Sequence, residues 1–158
     1  MACFFAVSGW TQQLYLNESF TNSTFPPSNW TQAKGLVSEV LNGQLPVVGS
    51  SMWHQTDETY GLAEPHAIVN VYGTTCREWL ITPTINLGEN PDENNKLMFD
   101  LALTAYGNDE PIHDLQGQPD DKFMVLISTD NGASWTAEVL TMLKAGTFTM
   151  KYLRKRRL

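Results

Sequence analysis

The stretch that decides the fold class runs from residue 97 to residue 105 and reads Leu97-Met-Phe-Asp-Leu-Ala-Leu-Thr-Ala105. Positions 97, 99, 101, 103 and 105 are apolar and would share one face, opposite Met98, Asp100, Ala102 and Thr104. Side chains on one face of a β-strand recur every two residues, whereas those on one face of a helix recur every 3.6. The stretch therefore predicts a long strand with one buried face.

Shorter segments on both sides of this strand have similar patterns. Strands are predicted over 14–20, 67–72, 79–87 and 123–127, which are separated by turn residues. Pro83 confines one of them to a sheet edge or a bulge, because proline has no N–H for the ladder. Apolar residues on both faces of 123–127 predict a central strand. Residues 31–41 have loosely helical spacing interrupted by Gly35, which leaves a short helix open. Together, these short strands separated by turns predict an all-β fold, an antiparallel β-sandwich.

Composition limits the possible classes of function. The 158 residues are 42% hydrophobic, which suits one domain with a core. The formal net charge is −7, and residues 1–150 contain 17 acidic and five basic side chains, a net of −12. Such a surface repels nucleic acid and anionic lipid, so no nucleic-acid partner is expected. No apolar run approaches the roughly 20 residues of a transmembrane segment, and two cysteines are too few for a disulfide scaffold.

The two ends differ from the middle of the chain. Residues 1–13 are apolar up to Trp10, with small residues at Ser8 and Gly9, and are interpreted as a signal-peptide remnant. An ordinary first strand is the alternative. Residues 141–158 form an atypical basic tail, whose cluster ends in Arg154-Lys-Arg-Arg157. The signal remnant predicts that the protein is secreted or lies at a bacterial cell surface, with residues 14–140 as its folded module.

A long acidic segment, residues 107–121, lies between two predicted strands. Its aspartates are Asp109, Asp114, Asp120 and Asp121, and no basic residue lies among them. Carboxylates gathered in this way repel one another unless water screens them or a cation such as Ca²⁺ binds between them. We therefore predict these four aspartates as metal ligands. A solvated acidic loop is the alternative.

The clearest local motif is Ser128-Thr-Asp-Asn-Gly-Ala-Ser-Trp135, which fits the Ser-x-Asp-x-Gly-x-x-Trp pattern of an Asp-box. Asn131-Gly132 suits a tight turn with positive φ. The carboxylate of Asp130 is suited to accept backbone N–H groups across the turn, and Trp135 to fold back onto the hairpin. We interpret Ser128, Asp130, Gly132 and Trp135 as a structural turn. Sialidases repeat this box around a propeller, which one copy cannot build.

Catalytic patterns are weak, whereas aromatic residues are abundant. The histidines lack metal-ligand spacing, His54 and Asp57 form at most an isolated pair, and no nucleophile elbow is present. Aromatic rings exposed beside polar groups stack on sugars, and Trp53 and Tyr60 are the expected ligand-binding residues. The alternative is that these rings fill the interior.

Four motifs, in this order, resemble one family. They are Glu18-Ser-Phe20 with Phe25-Pro-Pro-Ser-Asn-Trp30, then Glu78–Leu87, then Leu97–Leu103, then Asp121–Trp135. Together they resemble the choice-of-anchor J and cleaved-adhesin domains, which are MAM-like modules of exported bacterial proteins.

The resemblance implies a jelly-roll β-sandwich of the galactose-binding-like type, noncatalytic and often stabilised by calcium. It implies a glycan or extracellular protein ligand, with further domains in the parent chain. Glu18 is a further expected metal ligand, although Thr21 stands where the family often has an acidic residue. Residues 141–158 match none of the family's later strands, so we expect a module that lacks its C-terminal strands, and a basic arm is the alternative. A fragment of a secreted hydrolase, glycosidase or peptidase, and a structural spacer are the alternative functions.

Overall fold

Nine short β-strands and one helix make up the described part of the chain. The computed structural model describes residues 14–58, 65–71, 77–87, 96–104, 123–137 and 146–151. The elements in chain order are β1 Thr31–Lys34, α1 Val37–Leu41, β2 Val47–Val48, β3 His54–Thr56, β4 His66–Ile68, β5 Glu78–Ile81, β6 Lys96–Leu101, β7 Leu126–Ile127, β8 Thr136–Ala137 and β9 Gly146–Lys151. Every paired strand is antiparallel, which confirms the all-β class.

The largest sheet has three strands in the order β2-β1-β5. Strand β1 pairs with β5 from Thr31↔Ile81 to Lys34↔Glu78, and with β2 through Ala33↔Val48. Ala33 is fully buried at the centre of this sheet. Strand β5 ends two residues before Pro83, and in the described sheet it is an edge strand, where proline is tolerated.

Gly35 follows β1 at a place where two other groups approach its backbone closely. A Cβ on Gly35 would lie 3.4 Å from Cα of Pro46, and the Gly35 carbonyl accepts a 2.8 Å hydrogen bond from Nε1 of Trp79. The helix α1 follows and ends in a Schellman motif. Gly43 has φ +90°, and the Gln44 N–H bonds the Glu39 carbonyl at 2.9 Å. Val40 is the buried residue of α1.

Strands β6 and β9 pair over six residues, from Lys96↔Lys151 to Leu101↔Gly146. The alternation predicted for β6 is confirmed, because Leu97 and Phe99 are half-buried whereas Met98 and Asp100 are exposed. The ring of Phe99 packs on that of Phe123, with centroids 5.8 Å apart. Strand β9 lies within the segment interpreted as a basic tail, where the sequence predicted no strand. The module boundary at residue 140 stays a prediction.

Several predicted elements differ from the structure. The strands predicted over 67–72, 79–87 and 97–105 are shorter and end at Ile68, Ile81 and Leu101. Residues 14–20 form no strand, because the Phe20 N–H donates to the Glu18 carboxylate at 2.6 Å and Phe20 has φ +56°. Residues 31–34 are strand β1, so the helical spacing applies only from Val37 onward. Of residues 123–127 only the last two are a strand, and within the described sheets β7 pairs with β8 alone, so no central position is seen.

The segment before β1 is held by aromatic packing instead of a ladder. The ring of Phe20 lies 6.1 Å from that of Phe25 and 5.6 Å from that of Trp30, the latter pair being edge-to-face. A turn at Pro27, whose carbonyl accepts the Trp30 N–H at 3.0 Å, directs the chain into β1. These residues include the opening motif of the family resemblance.

Candidate functional site

The Asp-box hairpin joins β7 to β8, and the side chains of Ser128 and Asp130 make hydrogen bonds within it. The Asp130 carboxylate accepts the Ser134 N–H at 2.9 Å, the Ser134 hydroxyl at 2.5 Å and the Ser128 hydroxyl at 2.7 Å. The Ser128 oxygen in turn accepts the Gly132 N–H at 2.7 Å. Asn131 and Gly132 have φ of +63° and +86°, a conformation that asparagine and glycine tolerate best.

These donors determine the electrostatics of the hairpin. Hydrogen bonds from Ser134 and then Ser128 favour the charged carboxylate and lower the pKa of Asp130 from 3.8 to about 2. Such a group is a poor general acid near neutral pH because it has already lost its proton, and a poor general base because its affinity for a proton is low. The arrangement therefore holds a loop closed and is unsuited to proton transfer.

The hairpin also contacts the three-stranded sheet and the segment that follows it. The ring of Trp135 lies 6.2 Å from that of Trp79 on β5, and the Thr84 hydroxyl donates to Oδ1 of Asn131 at 2.7 Å. Trp135 also folds back beneath the turn, since a Cβ on Gly132 would lie 3.7 Å from its Cζ2. Two motifs that are distant in the chain are thus joined by two contacts, one of them between residues 47 positions apart.

Trp53 lies in the loop between β2 and β3, which is bound to the sheet by hydrogen bonds. Its carbonyl accepts the Gln32 side-chain N–H at 2.6 Å, and its N–H donates to the Ser51 hydroxyl at 3.1 Å. The preceding Met52 N–H donates to Oε2 of Glu78 at 2.8 Å. Trp53 itself is half-buried and its Nε1 is buried with no hydrogen-bond partner, so the ring is less exposed than the sequence suggested.

Most of the other predicted site residues lie outside the described residues. They are Tyr60, Asp109, Asp114, Asp120 and Asp121. Glu18 is described: it is half-buried, and its Oε1 is engaged by the Phe20 N–H, which leaves Oε2 for a cation. Among the residues that the structure describes, no group of three or more potential ligands could hold a metal ion. The structure thus brings Ser128, Asp130, Gly132 and Trp135 together, whereas the partners predicted for Trp53 and Glu18 lie outside the described residues.

Two polar residues with structural importance were missed by the sequence analysis. The Glu78 side chain is only 7% exposed and joins Lys34, at 3.7 Å, to the Met52 N–H. His66 is 8% exposed, and its Nδ1 has no hydrogen-bond partner. The signal for Glu78 is its place beside the apolar run of β5, but its partners depend on the pairing of β5 with β1, which the sequence does not specify.

Within the described ranges, none of the helices has the length and apolar character that a bilayer-crossing segment requires. Comparisons of this chain with family models, with curated proteins and with solved structures find no match.

Proposed function

We propose that this chain is a noncatalytic binding module of a larger secreted or cell-surface bacterial protein. The proposed architecture is a jelly-roll β-sandwich of the choice-of-anchor J and cleaved-adhesin kind. The observation that carries the proposal is the contact of Trp79 with Trp135. One ring belongs to the strand that resembles the family's Trp-Leu-Ile motif and the other closes its Asp-box hairpin, so residues that carry the resemblance pack together.

The opening motif supports the same proposal by a similar contact. Phe20 of its first part packs on Phe25 and Trp30 of its second part. Motif residues that pack on one another have a structural reason to occur together. A chance series of similar short motifs would have no such reason.

Three of the described carboxylates have a structural role. Glu18, Glu78 and Asp130 each accept a backbone N–H, from Phe20, Met52 and Ser134 respectively. Each therefore fixes the conformation of a loop. A glycosidase needs two carboxylates converging on one substrate bond, one of which is protonated at the working pH. The lowered pKa of Asp130 makes it unsuitable as the protonated member of such a pair.

Trp53 is the proposed ligand-contacting residue on the described surface. Hydrogen bonds to Gln32 and Ser51 fix the backbone at both sides of it, which lowers the entropy lost when a ligand stacks on the ring. Uncharged polar groups of the same loop, such as Ser50, are suited to bind sugar hydroxyls. A glycan or an extracellular protein segment with similar groups is the proposed ligand, with Tyr60 contributing a second ring.

Calcium is proposed as a stabilising ion. Ca²⁺ takes 6–8 oxygen ligands, so Glu18 would supply Oε2 and the aspartates of the acidic segment 107–121 would supply the rest. Addition of CaCl2 to chain treated with a chelator should raise the melting temperature, whereas MgCl2 should raise it less. Equal melting temperatures with and without CaCl2 would remove calcium from the proposal.

A combined binding and turnover assay tests the function. The chain is probed against an array of neutral and acidic glycans, and in parallel against fluorogenic glycosidase and peptidase substrates. We expect binding without turnover. Trp53→Ala should abolish the binding, whereas Trp53→Phe keeps a stacking face, loses an N–H that makes no hydrogen bond and should retain most of it. Turnover of any of these substrates by the purified chain would refute the noncatalytic function.

A further inference from the structure

Strand β2 forms an exposed apolar edge of the three-stranded sheet. Its two side chains, Val47 and Val48, are 73% and 70% exposed, and Leu45 just before them is 59% exposed. Leu41 and Met52 are exposed on either side of this stretch. In the described sheet, β2 pairs on one side alone, with β1. We name residues 41–52 the edge segment.

The backbone of Val48 is oriented for a further strand. Val48 lies opposite Ala33, and the next residue, Gly49, donates its N–H to the Gln32 carbonyl at 3.1 Å. In an antiparallel ladder, residues that bond their partner alternate with residues whose N–H and C=O point away from it. The N–H and C=O of Val48 therefore point outward, away from β1.

Charge indicates which partner suits this edge. From Val40 to Thr56 the sequence has no Asp, Glu, Lys or Arg, although the whole chain has a net charge of −7. Two copies of an acidic chain repel each other least where neither carries charge. A basic partner, in contrast, would be attracted to other parts of this surface.

We propose that two copies of this chain associate through their β2 edges about a two-fold axis at Val48. The Val48 N–H of each copy would donate to the Val48 carbonyl of the other, which is the self-complementary pairing that a two-fold axis requires. The two three-stranded sheets would join into one antiparallel sheet of six strands. Val47, Val48 and Leu45 of both copies would then lose solvent exposure, which supplies the driving force.

Sedimentation equilibrium of the full chain tests the proposal over concentrations of about 5 to 500 μM, the range suited to a weak dimer. We expect a reversible monomer–dimer equilibrium. Raising the salt concentration from about 0.05 to about 0.5 M should strengthen it, because screening weakens the repulsion between acidic copies.

Matched variants locate the interface. Val48→Glu places like charges opposite each other at the axis and should lower the association constant at least about tenfold. Met98→Glu makes the same change of charge at a position 60% exposed on β6, and should leave association unchanged. Val48→Ile should associate at least as strongly as the parent chain.

Three results would overturn the proposal. The first is a monomer at every protein and salt concentration, which would show that a second copy does not bind the β2 edge. The second is an equal decrease of the association constant in Val48→Glu and Met98→Glu, which would indicate nonspecific association that does not involve the β2 edge. The third is open-ended assembly in which Val48→Glu has no effect.

Discussion

The Asp-box hairpin and the edge segment are both short, but they differ in how their side chains and backbone groups are paired. In the hairpin, polar groups bond one another, as Asp130 does with Ser134, and Trp135 packs on Trp79. In the edge segment, apolar side chains such as Val47 face solvent, and within the described sheet β2 pairs on one side alone. One region is therefore fixed by contacts among its own residues, whereas the other keeps a strand edge to which the proposed second copy would bind.

The largest effect is expected from removing the ring that anchors the hairpin. Trp135→Ala loses the contact with Trp79 and the packing beneath Gly132, and should lower the free energy of unfolding by about 2–3 kcal/mol. Urea denaturation followed by circular dichroism measures this change. Trp135→Phe is the control, since it keeps a ring and loses an N–H with no partner, and should cost clearly less. Equal losses in the two variants would mean that the ring contact is unimportant.

A smaller effect is expected where the edge segment is bound to the sheet. Glu78→Ala removes the acceptor of the Met52 N–H from a site where the carboxylate is 7% exposed, and should cost about 1–2 kcal/mol. Lys34→Ala removes only the ion pair at 3.7 Å, whose lysine side chain is 52% exposed, and should cost less than about 0.5 kcal/mol. The same urea titrations compare the two, and a larger loss in Lys34→Ala would assign the stabilisation to the ion pair.

Acid should weaken the hairpin selectively. The folded-state pKa of Asp130 is about 2, below its ordinary value of 3.8, so its contribution to stability is present above pH 3.8 and is lost as the pH falls towards 2. The stability difference between the parent chain and Asp130→Asn should therefore shrink over that interval.

Thermal melts at several pH values measure this difference. Asp57→Asn, which removes the same charge at an exposed position outside the hairpin, is the control for net charge. A difference between the parent chain and Asp130→Asn that does not vary with pH would contradict the assigned hydrogen bonds.

The smallest effect on stability is expected at the edge itself. Val48→Glu in dilute, monomeric chain should change the free energy of unfolding by less than about 0.5 kcal/mol, because the side chain is 70% exposed. Urea denaturation at low protein concentration measures it. A loss comparable with that of Trp135→Ala would show that Val48 is packed within a single copy. The β2 edge would then not be exposed in the monomer.

Sequence patterns were most informative where the determinants are local. The alternation of Leu97 to Leu101 marked β6, because side-chain period depends on neighbouring residues alone. The Asp-box pattern placed Asn131 and Gly132 at a turn for the same reason. Both depend on residues only a few positions apart.

The pairing of strands that are distant in the chain could not be predicted from such local patterns. Strand β9 is recognised only through its partner β6, and nothing in residues 146–151 specifies that register. Thr31–Lys34 became a strand because β5 and β2 lie on either side of it. The backbone at Met52 and Trp53 is held by hydrogen bonds to Glu78 and Gln32, which are distant in sequence. The calcium ligands and Tyr60 stay predictions.

The pairing of β6 with β9 has a consequence for the order in which the chain folds. Residues 102–145 separate the two strands and contain the whole β7–β8 hairpin, whose own loop spans only residues 128–135. Closing the longer loop costs about 1.5 kcal/mol more in chain entropy. The hairpin can therefore nucleate early, whereas the β6–β9 ladder belongs to the late, slow phase of folding that non-local strand pairing imposes.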